Sequence, residues 1–166
     1  MAKREILLLG DQSLYNISRE VDKGELTKVR EVIRDLQDTI LDFRAKYGFG
    51  RAIAAPQIGE FLRIIYMNLD NQSYCLINPR LEFGLEQFEL WDDCMSFPGL
   101  EVKVNRFKKV KIMYKDMEWK DQSWQVEGDL SELIQHEYDH LDGILAVQRA
   151  IDNQSFRINK NKSGCF

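Results

Sequence analysis

His136-Glu137-Tyr138-Asp139-His140 sets two imidazoles four residues apart, with a carboxylate directly after the first. On a helix this spacing puts both rings on one face, about one turn apart, where they can bind the same metal ion. Glu137 then sits beside a metal-bound water, where a carboxylate can take a proton and later return it. The chain's 2 histidines both stand in this pentapeptide, which weighs against a helix that is merely rich in His and Glu. A catalytic ion needs a third protein ligand and an open position for water, whereas a structural site normally takes a fourth protein ligand.

Cys94 is the best candidate for that third ligand. It lies in Trp91-Asp92-Asp93-Cys94-Met95-Ser96-Phe97-Pro98, where a Pro-containing turn interrupts regular pairing and can present a thiolate. Taken alone, a lone cysteine reads first as a small buried hydrophobe. A further segment, Gly50-Arg51-Ala52-Ile53-Ala54-Ala55-Pro56-Gln57-Ile58-Gly59, has small residues that let a backbone approach a ligand, and an amide able to donate to a developing oxyanion. By itself such a loop reads as a packing device. His-Glu-x-x-His also marks zinc endopeptidases, whose third ligand is usually a downstream Glu or His. Neither residue follows His140.

These groups need elements to hold them. From Glu25 to Lys46, apolar residues recur at Leu26, Val29, Val32, Ile33, Leu36, Ile40 and Phe43, a helical period that Gly48 and Gly50 stop. Short β-rich runs follow at Leu62 to Asn68, Tyr74 to Ile77 and Val110 to Tyr114, with Asn71 and Asn78-Pro79 as turns. A second helix is expected from Gly128-Asp129 through Leu141, ended by Asp142-Gly143. Ile144 to Val147 and Ser155 to Ile158 read as strands, and Asn159 to Phe166 as a loose polar tail. The fold class expected is α+β.

With 166 residues and 44% apolar composition, one domain with a sizeable core is expected. A net charge of -4 gives no general attraction to phosphate backbones, so no specific nucleic acid is nominated. The basic stretch Arg106, Lys108, Lys109 and Lys111 alternates with Phe107, Val110 and Ile112 and reads as the solvated face of a strand. Met1 to Leu9 lacks the features of a signal peptide, and no apolar run is long enough to span a bilayer. Cys75, Cys94 and Cys165 are too few and scattered for a disulfide framework, so a reducing, cytoplasmic setting is expected.

Taken in order, the three segments resemble the motifs of peptide deformylases. Gly50 through Gln57 looks like the family's glycine-rich first motif and Asp92 through Ser96 like its Glu-Gly-Cys-Leu-Ser motif. Gln135 through His140 resembles its Gln-His-Glu helix motif, and that match continues through Leu141-Asp142-Gly143. The resemblance implies a single catalytic domain over residues 1–166, with antiparallel sheets around a central metal-binding helix. It implies one divalent ion, Fe(II) first with Zn(II) or Ni(II) as alternatives, held by Cys94, His136 and His140. Glu137 is the implied base and later acid, and the Gln57 amide and Met95 backbone N–H are the implied oxyanion donors. The implied reaction removes the N-formyl group from the N-terminal methionine of new polypeptides and releases formate. Gly50, Arg51, Ala52, Asp93, Asp129, Glu132 and Leu133 are the implied substrate-binding residues.

Several of these positions depart from the family pattern. Arg51 stands where the first motif usually has an apolar residue, Ala52 replaces its second glycine, and Asp92-Asp93 replace Glu-Gly. Asp129 and Glu132 stand where family members often place apolar or basic side chains near the methionine pocket. The expectation is that Arg51 pairs with Asp93 or Glu132 at the pocket rim and makes the site more polar; the plainer reading has these charges facing solvent. This keeps open a hydrolase acting on a more polar N-formyl or N-acyl substrate, or a catalytically weak metal-binding homologue. Ala150 to Phe166 departs from the long basic helix associated with ribosome docking in some members, which leaves a ribosome contact open. Monomer and dimer both remain open.

Overall fold

The computed structural model describes residues 3–162. The long apolar period becomes α1, Leu26–Tyr47, and Gly48 closes it with a positive φ and an N–H to the Arg44 carbonyl at 2.9 Å. Its inner face, from Val29 to Phe43, packs on Ile53, Ile64, Tyr66 and Ile77.

Among the described residues, eight strands follow in chain order: β1 (Ala52–Ala54), β2 (Ile64–Leu69), β3 (Gln72–Phe83), β4 (Gln87–Asp93), β5 (Leu100–Phe107), β6 (Lys109–Lys115), β7 (Asp121–Glu127) and β8 (Phe156–Ile158). One sheet runs β1-β2-β3-β6-β7 and the other β4-β5-β8, with every pairing antiparallel. Asp70 and Asn71, both at positive φ, make the tight hairpin between β2 and β3.

The second helix, α2 (Asp129–Leu141), lies between the sheets. Leu133, Ile134 and Leu141 bury against Ile65, Met67, Leu76 and Ile112 of the five-stranded sheet. On its other side, Gln135 pairs its amide with the Phe107 backbone at the end of β5, accepting from N–H at 3.0 Å and donating to the carbonyl at 2.8 Å. Burial on both sides explains why nearly every residue from Ser131 to Leu141 is out of water, charged ones included. The α2 turn ends at Gly143, with φ +69°, where a Cβ would fall 2.3 Å from the Tyr15 carbonyl oxygen. Only a residue without a side chain lets the incoming amino-terminal segment pass so close.

Three expectations need correction. Asn78-Pro79 does not end a strand; it forms an irregularity inside β3, with Asn78 at positive φ and its amide pairing both ways with the Val21 backbone at 2.8 Å. Ile144 to Val147 is not a strand, because Ala146–Arg149 winds into a 3-10 turn that packs Ala146 against Val102 and Val104. Asn159 to Lys162, expected to be loose, is anchored: Asn159 donates from its backbone to Gly99 at 2.7 Å and from its amide to Glu101 at 2.9 Å, and Lys162 pairs with Asp93. The rest of that expected tail, residues 163–166, lies outside the described residues. Among the described residues, no helix is long and apolar enough to cross a membrane.

Candidate active site

The end of β4 and the middle of α2 meet where the two sheets converge. Cys94 follows β4 directly, and the turn after it is closed by Phe97 N–H on the Cys94 carbonyl at 3.1 Å. The turn aims Sγ inward, 3.3 Å from His140 Nε2. One donor atom each from Cys94, His136 and His140 lies within 4.8 Å of the others, and all three residues are buried. Donors roughly 2.0–2.3 Å from a tetrahedral ion stand about 3.3–3.8 Å apart, so small inward movements bring these three onto one ion. The electrostatics also suit a cation. Burial works against a charge on His136, but Asp92 and Cys94 override it and carry the imidazole well above its ordinary value, while burial and His136 push His140 well below. A thiolate and two imidazoles buried together are a donor set that suits a divalent cation.

Glu137 stands beside this cluster, and its Oε2 is buried without a hydrogen-bond partner among the described residues. Burial pushes its carboxyl up to about 7, with the neighbouring negative charges of Asp92 and Glu132 adding to the rise and His136 opposing it. A carboxylate near neutrality can both accept and return a proton.

Gln57 sits against Cys94, in the 3-10 turn Ala55–Ile58 after β1. Its Oε1 accepts from Ala54 N–H at 2.9 Å, which fixes the amide so that Nε2 faces Ser96 Oγ at 3.1 Å and Cys94 Sγ at 3.6 Å. The amino-terminal segment ties the two loops together, with Leu7 N–H on the Gln57 carbonyl and Leu9 N–H on the Ser96 carbonyl, both at 2.8 Å.

Beyond the cluster opens a cleft of ≈ 860 Å³, and Gly50, Arg51, Ala52, Asp93, Asp129, Glu132 and Leu133 all line it. Gly50 is at φ +116°, and a Cβ there would press on Met95 Sδ at 3.3 Å. Of the two partners considered for Arg51, the structure selects Glu132, at 2.6 Å. Asp93 is instead taken by Lys162. Asp129 is exposed at the start of α2.

Arg106 is the residue that sequence reasoning misplaced. It is not part of a solvated face: at 4% exposure it donates to Asp92 at 2.9 Å and to Asp139 at 2.6 Å, behind the metal-ligand candidates. The period-two burial of Val102, Val104 and Arg106 on β5 is the signal that places it inward. Lys108, Lys109 and Lys111 are outside as expected, each facing a glutamate. Lys162 also reaches the cleft, and nothing in its local sequence signals that.

An α+β fold carrying a Cys-His-His donor set and a buried carboxylate beside it defines a metal-dependent hydrolase site. A model of the polypeptide deformylase family matches residues 3–156, and the chain belongs to that family. Similar relatives are the peptide deformylase of Dictyoglomus thermophilum, 36% identical over 90% of this chain and 94% of its own, and peptide deformylase 1 of Prochlorococcus marinus, 36% identical over 94% and 85%. Among solved structures, the peptide deformylase of Thermotoga maritima superposes with a TM-score of 0.83 at 27% identity, over 92% of this chain and all of that one. That of Synechococcus elongatus, in complex with actinonin, superposes at 0.82 and 29% identity, over 93% and 86%. The chain is therefore a deformylase-type hydrolase, and neither a different, more polar substrate in place of formyl-methionine nor a catalytically weak metal-binding homologue is favoured.

Proposed function

We propose that this chain removes the N-formyl group from the N-terminal methionine of new polypeptides, with Cys94, His136 and His140 holding one divalent ion. The observation that carries this reading is the convergence of those three donors, within 4.8 Å, beside the unpartnered buried carboxylate oxygen of Glu137. An ion in that donor set supplies Lewis-acid polarisation of the formyl carbonyl and acidifies the attacking water. A thiolate and two imidazoles accept Fe(II), Zn(II) or Ni(II) alike, and the likeness to peptide deformylases puts Fe(II) first.

Glu137 takes the proton of the water as it attacks, and returns it to the amine nitrogen as the C–N bond breaks, leaving formate and a free amino terminus. Asp92, on His136 Nδ1 at 2.9 Å, fixes that ring so that Nε2 faces the cluster. Gln57 Nε2, held by the bond to Ala54, and the Met95 backbone N–H stand as donors to the oxygen that gains charge. Gly50, Arg51, Ala52, Asp93, Asp129, Glu132 and Leu133 form the walls against which the peptide lies. We place the reaction in the cytoplasm, on N-formylated peptides.

Formate release from a formyl-Met peptide by anaerobically purified protein tests the assignment. Glu137→Ala should lose about 10²–10⁴-fold in rate while keeping its metal. Metal-loaded wild type that releases no formate overturns the reading.

A further inference from the structure

The cleft holds three cations, and their hydrogen bonding separates them. Arg44 spends its guanidinium on the Gly50 carbonyl at 2.8 and 3.0 Å and on Asn68 at 2.8 and 3.0 Å, so it is a structural brace. Lys162 is committed to Asp93 and Glu101. Arg51 differs: of an arginine's five N–H donors, only Nη2 is engaged, on Glu132, and the side chain is 48% exposed toward the cleft. Its other donors have no protein acceptor among the described residues.

Glu132 keeps Arg51 in this place. Its side chain is only 12% exposed, and it shares the helix face with His136 and lies near Glu137 and Asp92. Without the guanidinium it would be a buried carboxylate among other acids, so the arginine is held over the cleft rather than free to swing into solvent. Glu132 precedes His136 by four residues, about one helical turn or 6 Å. A peptide whose formyl carbon is at the metal-ligand cluster carries its first side chain roughly 5 Å from that carbon by ordinary bond lengths. Arg51 and Glu132 line the same cleft as Cys94, His136 and Glu137, so the pair stands on a wall open to that side chain. An apolar side chain pressed on the pair strips water from spare N–H donors and returns nothing; a side chain ending in an acceptor oxygen returns a hydrogen bond.

We propose that the Arg51–Glu132 pair is a specificity determinant that extends the substrate range to formyl peptides whose first side chain has methionine's length but ends in a strong acceptor, formyl-methionine sulfoxide above all. The inference rests on the deformylase reading and adds a substrate class to it. Sulfoxide formation converts an apolar thioether into a dipolar acceptor without lengthening the chain. Arg51 has the donors to receive it.

The test measures kcat/KM for formyl-Met-Ala-Ser, its sulfoxide and the norleucine analogue, with formate as product. Wild type should use the sulfoxide within about tenfold of the methionine peptide and better than norleucine, since the spare Arg51 donors gain from the sulfoxide oxygen a hydrogen bond that norleucine does not offer. In the double variant Arg51→Ile with Glu132→Ile, the sulfoxide should fall by about tenfold or more against methionine, chiefly through KM. An unchanged sulfoxide-to-methionine ratio in a folded, metal-loaded double variant overturns the proposal. So does a wild-type enzyme that prefers norleucine to the sulfoxide, a comparison independent of whether the variant folds. No formate from any of the three peptides overturns the deformylase reading itself, whereas brisk turnover of formyl-Met with the sulfoxide rejected overturns this inference alone.

Discussion

His136 Nδ1 lies 2.9 Å from the Asp92 carboxylate, which also accepts from Arg106 at 2.9 Å. Burial raises the Asp92 carboxyl, but His136 and Arg106 outweigh it and bring the group down to about 2. Asp92 therefore stays charged and holds the tautomer of His136 in which Nε2 is free. Asp92→Asn should weaken metal binding by about 10–100-fold. Competition against a chelator of known affinity measures it, and a variant that holds the ion as tightly as wild type would show that Asp92 does not orient the ring.

Arg106 neutralises two buried carboxylates at once, Asp92 and Asp139, and Arg149 reaches only Asp139, at 2.8 Å. Arg106→Met keeps much of the volume but removes the one cation shared by both acids, leaving Asp92 with His136 alone and Asp139 with the half-exposed Arg149 alone. The expected loss is about 3–5 kcal/mol of folding stability, because removing one partner leaves uncompensated buried charge. Urea unfolding followed by tryptophan fluorescence reads the change; a loss under about 1 kcal/mol would mean that the acids recover water or other partners.

Gly143→Ala forces a side chain into a left-handed backbone position and onto the Tyr15 carbonyl. Both the strain and the displaced backbone oppose folding, so a loss of about 1–3 kcal/mol is expected. A thermal midpoint equal to that of wild type would contradict the packing of the amino-terminal segment against the end of α2.

Glu101 anchors the carboxyl-terminal strand, accepting from Arg157 at 2.6 Å and Asn159 at 2.9 Å. Burial raises its carboxyl, but those two hydrogen bonds and the charges of Arg157 and Lys162 hold it below its ordinary 4.5. A lowered folded value means the anchoring is fully present above the ordinary value and is lost as pH falls through the folded one. Protection of the Asn159 amide, bonded to the Gly99 carbonyl, should fall across that acidic window in hydrogen exchange. Glu101→Gln should show weaker protection at neutral pH and no acid step from this group. Equal protection in the two proteins would place the anchor elsewhere.

How far these features were legible in the sequence varies by element. The limits of α1 and α2 follow from local physics: a 3.6-residue period, then Gly48 and Gly143 at left-handed positions. The alignment of His136 and His140 on one face follows from the same period. Asn78-Pro79 misled, because its turn chemistry is spent on the distant Val21 backbone and the strand continues through it. Ile144 to Val147 misled because a short apolar run has no period of its own, and packing on β5 decides its shape.

Cys94 marks the division most clearly. Its chain neighbours say only that a turn lies there, while its approach to His140 across 46 positions is made by the crossing of β4 and α2. Arg51 meets Glu132 across 81 positions, and the competing partner Asp93 is removed by Lys162 from the far end of the chain. Residue types and local spacing therefore determined two imidazoles on one helix face, a carboxylate beside them and an α+β chain. Which thiolate completes the set, which buried arginine supports it and which charges face the substrate were decided by tertiary structure alone, since burial and proximity belong to the packed sheets rather than to any single segment.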